Sequence, residues 1–191
     1  MKPVSRSEIL DLGAYEQIRD RFRARVIEEK KARRARIGSN MSVLFENHDT
    51  ALFQIQEMLR TERISAEKAV LHEIETYNEL VPGDSELSAT IFVEYDDRAE
   101  REAMLEKLAG LEDKFYVLVE GERQKVVPDA RNDRRDRTTA VHYVKFPLSP
   151  AAVRAIREKK PVRIGVDHPA YTAENELSPA TVAALAEDLS G

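Results

Sequence analysis

The residues of this chain that could do chemistry are Glu46, Gln54, Glu57, Glu73, Tyr77, His142 and His168. Carboxylates joined by one or two imidazoles are a donor set for non-haem iron, manganese or zinc. The spacing that builds such sites inside helical bundles is Glu-x-x-His on an inward face. It does not occur here, and His72 and Glu75 show it only in reverse. A metal or ligand site would therefore have to be assembled across separate elements. Glu57, Glu73 and His142 are the first choices, with Glu46 and His168 next. The competing reading is structural: the same groups form a buried hydrogen-bonded network, with Arg19, Arg23 or Arg60 pairing the glutamates. No Gly-x-Ser-x-Gly elbow, glycine-rich phosphate loop or His-Glu-x-x-His motif is present to suggest hydrolase chemistry.

These residues need elements to hold them. Tyr15, Ile18, Phe22 and Val26 recur at helical spacing, which predicts a helix over 14–36. Residues 41–45 read as a strand. Asn47 or Asp49 can cap a helix over 50–63 that carries Glu57, and Ser65 caps another over 66–80 that carries Glu73. Glu73 falls between Ala69 and Tyr77 on the apolar stripe, where a carboxylate must be paired, protonated or bound to a metal.

From residue 85 the pattern changes. Strands are expected at 87–95, 115–119, 125–127, 139–146 and 162–166, and helices at 98–109, 150–159 and 179–189. Two segments repeat a strand–helix–strand pattern and together spell β-α-β-β-α-β. The expected fold is therefore α+β, with a ferredoxin-like antiparallel sheet, an N-terminal helical layer and a C-terminal helix. In that arrangement 87–95 and 139–146 are the central strands, and His142 sits among apolar neighbours. The segment from Asp167 to Tyr171 reads as tight and irregular. The expected divisions are 1–84 for the helical layer with one strand, 85–168 for the core and 169–191 for the C-terminal segment, within one compact domain.

Charge and composition limit the function. Apolar residues make up 42% and charged residues 34%, a balance that supports a folded core. The net charge of −5 argues against a dedicated nucleic-acid binder. With no cysteine, the chain itself cannot hold a disulfide, a thiolate nucleophile or a Cys-ligated cluster. This fits a cytoplasmic location, as does a start without a signal-peptide apolar region. No apolar run approaches the ~20 residues of a membrane span. Between Arg19 and Arg36, nine Lys/Arg stand against three Asp/Glu, a local charge of +6. One reading is a solvated helix end whose cations favour the C-terminal dipole. The other is a docking surface built from Lys30, Lys31, Arg33 and Arg34, joined by the loop RNDRRDR.

In LFEN, QIQEML, the pair Tyr77-Asn78, Ala140-Val-His142 and His168-Pro-x-Tyr171, the chain resembles a bacterial domain-of-unknown-function family over nearly its whole length. At position 48 the family pattern more often has Arg, so His48 is not taken as a shared ligand. Family members are often encoded near rubrerythrin-like and iron–sulfur oxidoreductase genes. The resemblance thus implies a cytosolic accessory protein of a redox or oxidative-stress system, with a redox protein encoded nearby as its partner. Such a protein would bind a metal ion or small ligand between the helical layer and the sheet. The alternative is a non-catalytic adaptor or regulator docking through the basic helix end, as a single chain or as a homo-oligomer.

Overall fold

The computed structural model describes residues 1–128 and 137–190. It is an α+β protein with six α-helices and two antiparallel sheets among the described residues. In chain order, helix α1 (Leu12–Arg33) leads directly into strand β1 (Arg34–Ile37), and a turn brings in β2 (Met41–Phe45). Helices α2 (His48–Thr61) and α3 (Glu67–Asn78) follow, then β3 (Glu86–Val93), α4 (Arg98–Lys107) and β4 (Phe115–Val119). The remaining elements are β5 (Glu122–Lys125), β6 (Val127–Pro128), β7 (Val141–Pro147), α5 (Pro150–Arg157), β8 (Val162–His168), β9 (Tyr171–Glu176) and α6 (Pro179–Asp188).

The first sheet has the order β1-β2-β3-β7-β6 and the second β5-β4-β8-β9. The expected central pair is present, since β3 runs antiparallel to β7 with Ile91 opposite His142. A single ferredoxin-like sheet is not. There β4 and β8 would flank that pair; instead they bond to each other and start the second sheet. Two strands not expected from the sequence enlarge the sheets. Residues 34–36, expected as the end of the helix, turn into the edge strand β1, and the chain from Tyr171 becomes β9. Neither strand carries an apolar run, because each buries little of its surface.

Period-two alternation divides each strand between two faces. Met41, Val43 and Phe45 of β2, Leu87, Ala89, Ile91 and Val93 of β3, and Val144 and Phe146 of β7 join one core with Phe115, Val117, Val119, Val162, Ile164 and Val166 of the second sheet. Helices α4, α5 and α6 add Leu105, Ile156 and Leu185 to that core. The turn at Gly38 ties the two sheets together. Tyr171 of β9 donates its hydroxyl to the Ile37 carbonyl and accepts from the Asn40 amide. Gly38 has φ +65°, and a Cβ there would lie 2.5 Å from the Tyr171 hydroxyl, so the turn requires glycine on both counts.

The N-terminal helices do not share the main core. Val4, Ile9, Ala51, Ile55, Leu59, Val70, Ile74 and Val81 form a second cluster. Helix α1 packs on α2, on β2 and on α6. The helical layer therefore leans on the outer face of the first sheet at its β2 side and thins out towards β7. On that face Ser42, Leu44, Ser88 and Thr90 are buried, while Val141 and Tyr143 are exposed.

Candidate ligand groove

A groove opens where the helices leave the sheet. Its floor follows the strand register. Leu44 stands opposite Thr90, and Thr90 opposite Tyr143, so the three form one row across β2, β3 and β7. The neighbouring row ends in Phe92 and Val141. Lys30 of α1, Gln54 of α2 and Leu80 complete a hollow of about 240 Å³ with Glu46 in its lining. Leu80 and Tyr143 also line a neighbouring hollow of about 220 Å³, with Glu79, Ser88, Val127 and Lys145.

Glu46 sits at this place for a local reason. It lies two residues past Leu44 and so falls on the same outer face. Its amide donates to the Ser88 carbonyl, which extends the β2–β3 ladder by one step. Asn47 then starts α2: its side chain accepts from the Thr50 amide, and the Thr50 hydroxyl accepts from the Asn47 amide. Glu46 is thereby held at a strand-to-helix corner with 7% of its surface exposed. Thr90 donates its hydroxyl to Oε1 at 2.5 Å. Oε2 accepts from no described residue. A carboxylate oxygen left open in a groove is an acceptor for a ligand's donor.

The other expected site residues lie elsewhere. Glu57, on α2, accepts from Arg19 through two nitrogens at 2.7 and 2.8 Å and from the Tyr15 hydroxyl at 2.7 Å. The Arg19 guanidinium holds its carboxyl below the usual range, with Tyr15 adding to the effect. Burial, then the bond to Glu57, pushes the Tyr15 phenol up. This is the structural network that the sequence offered as the alternative. Glu73 is half-buried on α3 and bonds no described residue. His142 points into the space between the sheets, 1% exposed, with Nε2 on the Thr138 hydroxyl and its ring 6.1 Å from that of Phe115. Its Nδ1 has no described partner.

The expected meeting of Glu57, Glu73 and His142 does not occur, because His142 faces inward and the helices lie on the outer side of that sheet. Among the described residues, no three His, Asp or Glu side chains converge as metal ligands. His168 has both ring nitrogens occupied by backbone: Nε2 on the Ala109 carbonyl and Nδ1 on the Ala170 amide. That pattern fixes a neutral tautomer which holds a turn and leaves no lone pair for a metal.

The basic end of α1 is largely spent on the fold. Arg33 is 5% exposed and makes a two-pronged ion pair with Asp188 of α6, at 2.5 and 2.8 Å. Arg34 and Arg36 share Glu94, Lys31 pairs with Glu28, and Lys30 stands over the Phe53 ring. Residues 131–136 of the RNDRRDR loop lie outside the described residues.

A larger hollow, about 390 Å³, lies between the N-terminal segment, α1 and α2, lined by Leu10, Ile18, Phe22 and Leu52 among others. Its buried polar side chain, Gln56, is bonded in both directions to the backbone of Leu10. Its buried amide is thus satisfied, whereas the Glu46 groove, although smaller, presents a carboxylate oxygen with no described partner. The sequence missed Lys30, Leu44, Thr90, Phe92 and Tyr143 as groove residues. The alternation of β3, with Ser88 and Thr90 as small polar residues on a buried face, was the signal available.

The fold and the groove define a two-sheet α+β protein with a solvent-accessible hollow outside one sheet. The chain belongs to a family of proteins of unknown function, DUF3501, whose model matches residues 3–189. It is similar to a protein of known crystal structure from Burkholderia pseudomallei K96243, described as a novel protein of unknown function. The two share 36% sequence identity with a TM-score of 0.93, covering 98% of this chain and 100% of that one. No curated protein matches the chain. Among the described residues, no helix is long and apolar enough to cross a membrane.

Proposed function

We propose that this protein is a small-ligand-binding accessory protein and that its site is the groove at Glu46. The observation that carries the reading is a glutamate with 7% of its surface exposed, supported on one carboxylate oxygen by Thr90 and with no described partner on the other, in the lining of a groove between helices and sheet. The ligand places a hydrogen-bond donor on Oε2 and an apolar body against Leu44, Leu80, Phe92 and Val141. Burial of that body supplies affinity and the carboxylate supplies orientation. The setting proposed is a cytosolic redox or oxidative-stress system, which rests on the gene neighbours implied by the family resemblance.

A ligand-observed NMR screen of amine- and hydroxyl-bearing fragments tests the binding role. Fragments that bind the wild-type chain should lose binding to Glu46→Gln. Binders unaffected by that change would remove the basis of the reading. For the setting, cells lacking the protein should be peroxide-sensitive and be rescued by the wild type but not by Glu46→Gln. Equal rescue by both would contradict it.

A further inference from the structure

We infer that the groove takes a zwitterion, namely a free α-amino acid with an apolar side chain. This inference rests on the ligand-site reading above and goes further by assigning both ends of the ligand. Glu29, one residue before Lys30, accepts from Arg33 and from the Asn47 side chain. These bonds pin the last turns of α1 to the corner that carries Glu46, so Lys30 and Glu46 line one hollow.

The cations around the groove are not equivalent. Lys145 is paired with Glu86 at 2.7 Å, and Arg34, stacked over Phe92, is held by Glu94. Lys30 makes no ion pair with a described carboxylate and rests its ammonium 5.4 Å from the Phe53 ring centre. Glu46 likewise has no cation beside it. The groove thus presents one unpaired carboxylate and one unpaired ammonium, separated by apolar side chains. A ligand with a single charge would leave one of these poles without its complement. An amino acid serves both, with its ammonium on Oε2 of Glu46 and its carboxylate at Lys30. Its side chain then lies along Leu44, Leu80, Phe92 and Val141, and the Gln54 amide can add a donor or an acceptor.

Calorimetric titration of the full chain with L-leucine and L-phenylalanine tests this, using isoamylamine and 4-methylpentanoate as leucine analogues lacking one charge. The amino acid should bind at least about tenfold tighter than either analogue. Lys30→Met should abolish the preference over the amine, and Glu46→Gln the preference over the acid. The wild-type ratios need no variant, so a folding defect in Glu46→Gln cannot mask the result. Equal binding of leucine and isoamylamine, or no effect of Lys30→Met, overturns the inference. Fragments that bind in a Glu46-dependent way while neither amino acid binds overturn the zwitterion and leave the ligand site standing. Absence of any Glu46-dependent binder overturns both.

Discussion

Thr90 donates its hydroxyl to one oxygen of Glu46 at 2.5 Å and leaves the other oxygen without a described partner. The two residues belong to neighbouring elements of the same sheet face, 44 positions apart in the chain. Thr90 holds the carboxylate where a ligand can meet it. Thr90→Val keeps the shape and removes the donor, so it should lower stability by about 1–3 kcal/mol and weaken ligand binding together. Urea unfolding and a binding titration on the same sample check both.

The Glu57 cluster should behave as structure. Glu57→Ala leaves the fully buried Tyr15 hydroxyl without its acceptor and should cost about 1–3 kcal/mol. Because the folded carboxyl is held below its ordinary value of 4.5, its contribution is fully present above that pH and is lost as pH falls through the lower folded value. The stability gap between wild type and Glu57→Gln should therefore narrow in acid. Urea unfolding across an acid pH series reads this, and a constant gap would contradict it.

His142 predicts a second acid sensitivity of the same sign, in a higher pH window. Burial pushes its imidazole down from 6.5 to about 4, partly offset by the Thr139 backbone. The unfolded chain then binds the proton more readily, so stability is full above about pH 6.5 and falls between there and pH 4. The loss attributable to this residue is at most about 3 kcal/mol. His142→Leu should flatten the curve in that window. An imidazole titrating near 6.5 by NMR in the folded protein would contradict the buried placement.

Arg33 and Asp188 should act as a clasp between α1 and α6. Arg33→Ala leaves a buried carboxylate unpaired and should cost about 3–5 kcal/mol, whereas Lys31→Ala, an exposed pair, should change stability by less than about 1 kcal/mol. Thermal unfolding of the two variants separates a structural arginine from a surface one. Similar losses in both would count against the clasp.

Much of this was legible in the sequence, and the failures have physical causes. The strands at 115–119 and 162–166 are short apolar runs and were readable as strands, but nothing in them states which neighbour each will bond. Pairing is decided by the packing of two sheet faces, so a repeat that spells β-α-β-β-α-β suggests one sheet and builds two. Strand β1, with its alternating arginines, looks like helix by composition. It is a strand because its backbone pairs antiparallel with β2, which buries Ile37, and Arg34 and Arg36 then both reach Glu94. Glu46 was legible as a polar residue at a strand-to-helix corner. Its partner Thr90 was not, because the bond depends on register. The apolar neighbours of His142 point to a central strand, where it lies, but its inward face puts it out of reach of Glu57 and Glu73.

Ligand binding in the Glu46 groove can be read residue by residue. Amide chemical-shift mapping on the ¹⁵N-labelled chain, titrated with L-leucine or with the tightest fragment from the screen, tests it most directly. Shifts should concentrate at Leu44, Glu46, Asn47, Thr90, Phe92 and Tyr143, saturate with ligand and be absent in Glu46→Gln. Shifts confined to Leu10, Ile18, Phe22 and Leu52, or unchanged by the substitution, would contradict it.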